Sequence, residues 1–167
     1  EGEDYVGLSY LVGLDVLFER SVVRALRENG IHTISKHPLR HVRVDRAGRE
    51  TAGLAPMELD AWCPALVPGG VVLDAKYKHA ISSSNLQQVL SYCAITGARV
   101  GALVVPSGLV ADRRSFRFEL PNQERVVIHV IELEVDGKDV ASWRTAGTRF
   151  AARVRAACAA ELATAVA

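Results

Sequence analysis

Asp60, Asp74 and Lys76 are the residues of this chain whose types and spacing suit chemistry best. They lie between Glu58 and Tyr92, the only stretch where acidic and basic side chains sit inside strongly apolar runs. Val71, Val72 and Leu73 lead straight into Asp74, Lys76 and Lys78, and the two-residue alternation of a strand predicts these three on one side of a sheet. Met57, Leu59, Ala61 and Trp62 surround Asp60, and the turn Pro68-Gly69-Gly70 allows the two segments to pair as a hairpin. Two carboxylates and an ammonium then converge at one end of adjacent strands. Such a set suits a hard divalent cation, because Mg²⁺ prefers oxygen ligands and keeps several waters beside one or two protein carboxylates. Lys76, two residues beyond Asp74, is placed to orient an attacking water or to stabilise negative charge growing on a phosphate. Phosphodiester hydrolysis is the reaction that needs this combination; the bland alternative is a structural ion pair in an unrelated α/β domain.

The elements that must position these groups follow from periodicity. From Leu11 to Glu28, Leu14, Leu17, Phe18, Val22, Ala25 and Leu26 recur at three- and four-residue steps, which predicts an amphipathic helix stopped by Asn29-Gly30. Ile31 to Val44 reads as one or two strands and is the most basic stretch, with His32, Lys36, His37, Arg40, His41 and Arg43. Those residues suit either phosphate contacts or the charged edge of a sheet. Asp45 to Gly53 reads as a loop or hairpin turn. After the hairpin, Ser82 to Ser84 offer N-caps for a helix running to about Thr96-Gly97, with Leu86, Val89, Leu90, Cys93 and Ala94 as its apolar stripe.

Gln88 and Tyr92, four residues apart, are neighbours on one face of that helix, where they could reach a DNA backbone or brace Lys76. Arg99 to Pro106 is a continuous apolar run, typical of a buried central strand of a mixed sheet. A turn with Asp112, Arg113 and Arg114 follows, then strands at Phe116 to Leu120 and Arg125 to Leu133 and a turn at Asp136-Gly137. Val140 to Ala163 reads as a helix packed along Phe150, Val154, Cys158 and Leu162. Its Arg144, Arg149, Arg153 and Arg155 fit a solvated face better than a phosphate-binding one.

Asp60, followed after a short loop by Asp74-Ala75-Lys76, resembles the PD-(D/E)xK signature of the restriction-endonuclease-like nucleases, with Leu59 in place of the usual Pro. Lys76-Tyr77-Lys78 and Asn85-Leu86-Gln87-Gln88-Val89-Leu90-Ser91-Tyr92 resemble the DAKYK and DLYQxLxY segments of McrC, the nuclease subunit of modification-dependent restriction systems. Asn85 and Gln87 depart from that pattern, whereas Gln88 and Tyr92 keep its Q-x-x-x-Y spacing. The segment LFERSVVRAL around Glu19 is similar to the LFE-x-x-V segment that precedes the strands in McrC-like nucleases. The bland reading of Glu19 is an exposed helix acid beside Arg20.

The resemblance covers roughly residues 14 to 133 and implies an α/β fold with a mixed sheet, an αβββαβ core carrying extra C-terminal strands and a helix. It further implies a catalytic set of Asp60, Asp74, Lys76 and Glu19. Asp60, Asp74 and the Ala75 carbonyl would hold Mg²⁺, for which Mn²⁺ could substitute, and Glu19 would serve as an outer acid or water-mediated ligand. Lys78, Gln88 and Tyr92 would support the site or contact DNA. The implied partners are DNA and an McrB-type GTP-hydrolysing motor; no G-x-x-x-x-G-K-[ST] occurs in this chain, so nucleotide hydrolysis must come from elsewhere.

Length and composition bound the rest. A chain of 167 residues is expected to form a single domain, burying about 70% of the surface its unfolded form exposes. Cys63, Cys93 and Cys158 are odd in number and set in apolar surroundings, as free thiols in a reducing compartment would be. Their scatter argues against zinc and against an iron–sulfur cluster. No apolar run approaches the ~20 residues that span a bilayer, and the N-terminus lacks signal-peptide character, so a cytoplasmic location is expected. A net charge of +1 leaves any DNA-binding surface to local clustering.

The start at Glu1 rather than Met suggests the C-terminal part of a longer McrC-like protein. Cutting both strands of a duplex would call for a homodimer or higher assembly. Two alternatives remain open: a RecB-like or Holliday-junction-type repair nuclease, whose helix also carries Q-x-x-x-Y, and a catalytically inactive DNA-binding or assembly module of the same fold.

Overall fold

A computed structural model of the chain describes residues 13–39, 43–44, 50–51, 57–109, 115–120, 125–135 and 138–165. Its elements are α1 (Leu14–Glu28), β1 (Ile34–Leu39), β2 (Arg43–Val44), β3 (Glu50–Thr51), β4 (Met57–Cys63), β5 (Val71–Ala75), α2 (Ser83–Thr96), β6 (Val100–Pro106), β7 (Ser115–Glu119), β8 (Arg125–Leu133) and α3 (Val140–Ala165). Six strands form one sheet in the order β1-β4-β5-β6-β8-β7, and β2 pairs with β3. The β4–β5 hairpin is antiparallel, whereas β5, β6 and β8 run parallel. This mixed α/β architecture is the expected class and is compatible with a restriction-endonuclease-like core. Of the expected features, Leu11, Arg40, His41, Asp45 to Arg49, Ala52, Gly53 and the turns at Asp112 to Arg114 and Asp136-Gly137 lie outside the described residues.

The sheet sorts its apolar residues to two faces. Val71, Leu73, Ala75, Val100, Ala102 and Val104 pack with Phe18, Val22, Leu26, Phe150 and Val154 of α1 and α3. Val72 and Leu103 pack on the other side with Val89, Tyr92 and Cys93 of α2. Strand β6 is buried along its whole length, as its unbroken apolar run requires once both faces are covered. The Pro68-Gly69-Gly70 turn needs its glycines: both have positive φ, 81° and 79°, and a Cβ on Gly70 would stand 2.6 Å from the Trp62 ring nitrogen.

Several details differ from the periodic reading. Leu14 and Leu17 are exposed, whereas Phe18, Val22, Ala25 and Leu26 of the expected stripe are buried, joined by Val23. On α2 the buried positions include Asn85 and Tyr92, while Ala94 is exposed. The α3 stripe holds at Phe150, Val154 and Cys158 but leaves Leu162 exposed, past the contacts that bury the others. In each case the stripe follows where a neighbouring element lies, which a helical period does not specify. Arg149 pairs with Glu134, Arg153 donates to the Glu132 carbonyl at 3.1 Å and Arg155 to the Asn29 carbonyl at 2.6 Å. These arginines therefore tie α3 to its neighbours.

Helix α2 begins with a reciprocal cap: the Asn85 amide N–H donates to Ser82 Oγ at 3.3 Å, and the Ser82 amide donates to Asn85 Oδ1 at 3.1 Å. Gly97 closes the other end with φ 74°. Ser82→Ala should lower stability by about 1 kcal/mol, read as a fall in the midpoint of urea unfolding at constant slope.

Candidate active site

The β4–β5 register sets Ala61 opposite Leu73 and Trp62 opposite Val72; one step further brings Asp60 across from Asp74. The main chain ties them together, because the Ala75 amide donates to Asp60 Oδ2 at 2.9 Å. Lys76 Nζ lies 3.0 Å from Asp74 Oδ1, as a hydrogen-bond donor, and 2.9 Å from Oδ2. The second contact is an ion pair off the angle of a hydrogen bond, so Oδ2 is buried with no hydrogen-bond donor of its own. Strand pairing of β5 ends at Ala75, and the Lys78 amide turns back to the Lys76 carbonyl at 3.0 Å. Alternation thus joins Asp74 to Lys76 but does not extend to Lys78, which is exposed beyond the strand.

The third strand of this row supplies Lys36, which the sequence pattern places only among basic side chains for phosphate or solvent. In the β1–β4 ladder, Ser35 pairs with Ala61 and His37 with Leu59, leaving Lys36 and Asp60 facing each other between them. Lys36 has φ 53°, the one non-glycine residue with positive φ among those described; a left-handed residue with a Cβ costs about 1–2 kcal/mol. Facing alternation also breaks here, for Ala61 and Cys63 belong to the α1/α3 side and Leu59 to the α2 side. Lys36 Nζ donates to Glu19 Oε2 at 2.6 Å and lies 3.7 Å from Asp60 Oδ1. No spacing rule links a helix acid to a strand lysine this far along the chain, so only the fold reveals the pair.

Glu19, Asp15, Ala75, Lys76, Tyr77, Lys78, Ser84, Asn85 and Gln88 line a cleft of about 420 Å³ between the first turns of α1 and α2. Tyr92 is buried on α2, and its hydroxyl oxygen accepts from Gln88 Nε2 at 2.7 Å. Glu19, Asp60, Asp74, Ala75 and Lys76 are thus brought together, and Gln88 and Tyr92 form one bonded pair beside them.

The charges are held under tension. Burial raises the Asp74 pKa to about 6, against the pull of Lys76, and the nearby Asp60 raises it further. Burial also raises Asp60, opposed by the Ala75 N–H and aided by the negative charge of Glu19. For Lys76, burial works against the charge, but Asp74 and Asp60 outweigh it and the pKa rises. Lys76 is therefore an ammonium at neutral pH, suited to stabilising negative charge and unsuited to accepting a proton. Tyr92 is raised by burial, with Gln88 opposing and the two carboxylates adding to the effect.

Two adjacent carboxylates with raised pKa, one keeping a buried oxygen met by an ion pair but by no aligned hydrogen bond, fit a Mg²⁺-type ion that brings its own waters. Among the described residues no cluster of three or more His, Cys, Asp or Glu forms a protein-only metal cage. Cys63, Cys93 and Cys158 are buried free thiols. No described helix is long and apolar enough to cross a membrane.

The fold is similar to a solved one. The match is to a chain of a Thermococcus gammatolerans assembly of McrB AAA+ hexamers with bound McrC, with a TM-score of 0.59 and 20% identity, covering 86% of this chain and 34% of that one. The present chain spans about a third of that chain's length, and at this identity the likeness concerns the fold. No family model and no curated protein sequence matches the chain.

Exchanging Tyr92 for Phe removes the hydroxyl that Gln88 meets while keeping the ring in the core. A loss of about 1 kcal/mol in urea unfolding is expected. Gln88→Ala should cost a similar amount, and the double variant less than the sum of the two.

Proposed function

We propose that this chain is the nuclease domain of an McrC-like protein, a metal-dependent endodeoxyribonuclease of the PD-(D/E)xK type that acts in restriction of modified or foreign DNA. The observation that carries the reading is the meeting of Asp60 and Asp74 across one strand pair, with Lys76 on Asp74 and the Ala75 amide on Asp60. Asp60, Asp74 and the Ala75 carbonyl would hold Mg²⁺, with Mn²⁺ able to substitute. When bound, the ion would polarise a phosphoryl oxygen and make a water a stronger nucleophile. Lys76 presents its ammonium to charge developing on the phosphate. Glu19 stands beyond Asp60 with Lys36 as its partner, an outer position in the site. Gln88 lines the cleft on the α2 side with Tyr92 bracing it from behind, and exposed Lys78, also in the lining, offers a charge to the DNA backbone.

A GTP-hydrolysing McrB-like motor is the proposed partner, supported by the motif resemblance and by the fold likeness to a chain from an assembly of McrB hexamers with McrC. A homodimer or larger assembly would provide two active sites for a duplex. The test is cleavage of plasmid DNA by the chain with Mg²⁺ or Mn²⁺, with and without a candidate GTPase and GTP, against an EDTA control. Nicking or linearisation that depends on both metal and motor supports the full reading. Metal-dependent cutting that ignores the motor transfers the chain to the RecB-like class, and no cutting under any condition leaves a non-catalytic DNA-binding module.

A further inference from the structure

Lys36 is a charged group beside Glu19 and Asp60 that the reaction above does not use. It occupies a left-handed backbone position in the interior of β1, where a glycine would be free of strain and a lysine is not. The side chain it carries reaches back across the site: its ammonium binds Glu19 Oε2 at 2.6 Å and approaches Asp60 Oδ1 to 3.7 Å. Asp60 therefore has Lys36 near Oδ1 and the Ala75 amide on Oδ2, while Lys76 holds the neighbouring Asp74.

We propose that Lys36 is a built-in counter-ion that sets the metal affinity of the site, an inference that rests on the metal-nuclease reading. By holding Glu19 on its own ammonium it keeps that carboxylate away from the ion. By standing beside Asp60 it opposes a second cation there. A unit positive charge a few ångströms from a divalent ion, even in a nearly aqueous dielectric, weakens binding by about tenfold. The site is thereby held weak for Mg²⁺ until something else favourable, such as a DNA phosphate with its negative charge, enters the cleft.

The alternatives make different demands. A scaffold lysine that only relieves repulsion between Glu19 and Asp60 predicts weaker metal binding when it is removed. A plain phosphate contact predicts unchanged metal binding without DNA.

The deciding experiment is calorimetric titration of Mn²⁺ and Mg²⁺ into the chain without DNA, for wild type, Lys36→Met, Lys36→Gly and Lys36→Arg. The Met and Gly variants should bind about tenfold more tightly, and the Arg variant, which keeps the charge, should stay within about threefold of wild type. Adding Glu19→Gln to Lys36→Met should return affinity toward the wild-type value. Glycine accepts a φ of 53° without strain, so it decides the question if the Met variant does not fold. Met and Gly variants within twofold of wild type, or weaker, overturn the role of Lys36 and leave the nuclease reading standing. Absence of metal binding by wild type and variants alike, in a parallel titration with duplex DNA as well as without it, overturns both.

Discussion

Asp74→Asn and Lys76→Met should each lower the rate of Mg²⁺-dependent DNA cleavage by about 10²–10³-fold or more, while both proteins remain folded. Asp74 is 1% exposed and sits on a strand whose every residue is buried. Asparagine fills the same volume, so the backbone has no reason to move. What disappears is the negative charge that a divalent ion needs, at the only site among the described residues where two carboxylates face each other across a strand pair beside an ammonium.

Lys76 acts through its charge. Its ammonium is fixed by Asp74 at 3.0 Å, so no reorganisation is needed when charge builds on the phosphate, and losing one such preorganised donor costs about 10²–10³-fold. Lys76→Arg should recover little, because a planar fork cannot place its charge where a short ammonium did. Single-turnover cleavage at saturating Mn²⁺ measures these losses, with circular dichroism confirming the fold. Wild-type rates in both variants would sink the catalytic assignment.

A second large effect concerns stability without metal. A carboxyl whose folded pKa lies above its unfolded value binds its proton more tightly in the folded state. Its contribution is therefore fully present below the unfolded pKa and lost as pH rises through the folded one. For Asp74 the window runs from the ordinary value near 3.8 to about 6, a span of two units that amounts to about 3 kcal/mol at most. Asp60 is raised as well and acts in the same direction. Lys76, raised by its carboxylate partners, stays protonated in both states over this range and adds no slope. Exposed Glu28 and Asp139 are lowered, by their bonds to Arg24 and Ser142, and pull weakly the other way; His129, lowered by burial against the pull of Glu161, also opposes the Asp74 slope below its ordinary value.

In EDTA, then, wild-type stability should fall between about pH 4 and pH 7, whereas Asp74→Asn should show a flatter profile and melt higher at pH 8. The expected gain at pH 8 is about 1–3 kcal/mol, or about 2–10 °C for a chain of this size. Mg²⁺ should raise the wild-type melting temperature at pH 8, through binding to the folded state, and leave the variant unmoved. Thermal melts across pH with and without metal test this directly. A variant less stable than wild type at pH 8 would mean that the Asp74–Lys76 pair holds the fold together more than burial of the carboxylate strains it.

Much of this protein was legible from order and pattern alone. Helices at α1, α2 and α3, the β4–β5 hairpin and the all-apolar β6 follow from periodicity and turn chemistry, because 3.6-residue and two-residue repeats and a Gly-Gly turn are local properties. The adjacency of Asp74 and Lys76 is local too, two residues apart on one strand. The pairing of Asp60 with Asp74 is suggested by the hairpin but depends on the register that sets Ala61 against Leu73.

What tertiary structure alone decided is which side chains from distant elements share that space. Lys36 could not be assigned from its neighbours, because its reach to Glu19 and Asp60 depends on a left-handed backbone position in the interior of a strand, which strand propensity disfavours. Nor could the buried state of Tyr92 and Asn85, since a helical stripe is defined by what packs on it. Short-range sequence determined the elements and one ion pair; the set of charges around Asp60 came from packing of α1, β1 and β4, an energy summed over contacts that no short window of sequence contains.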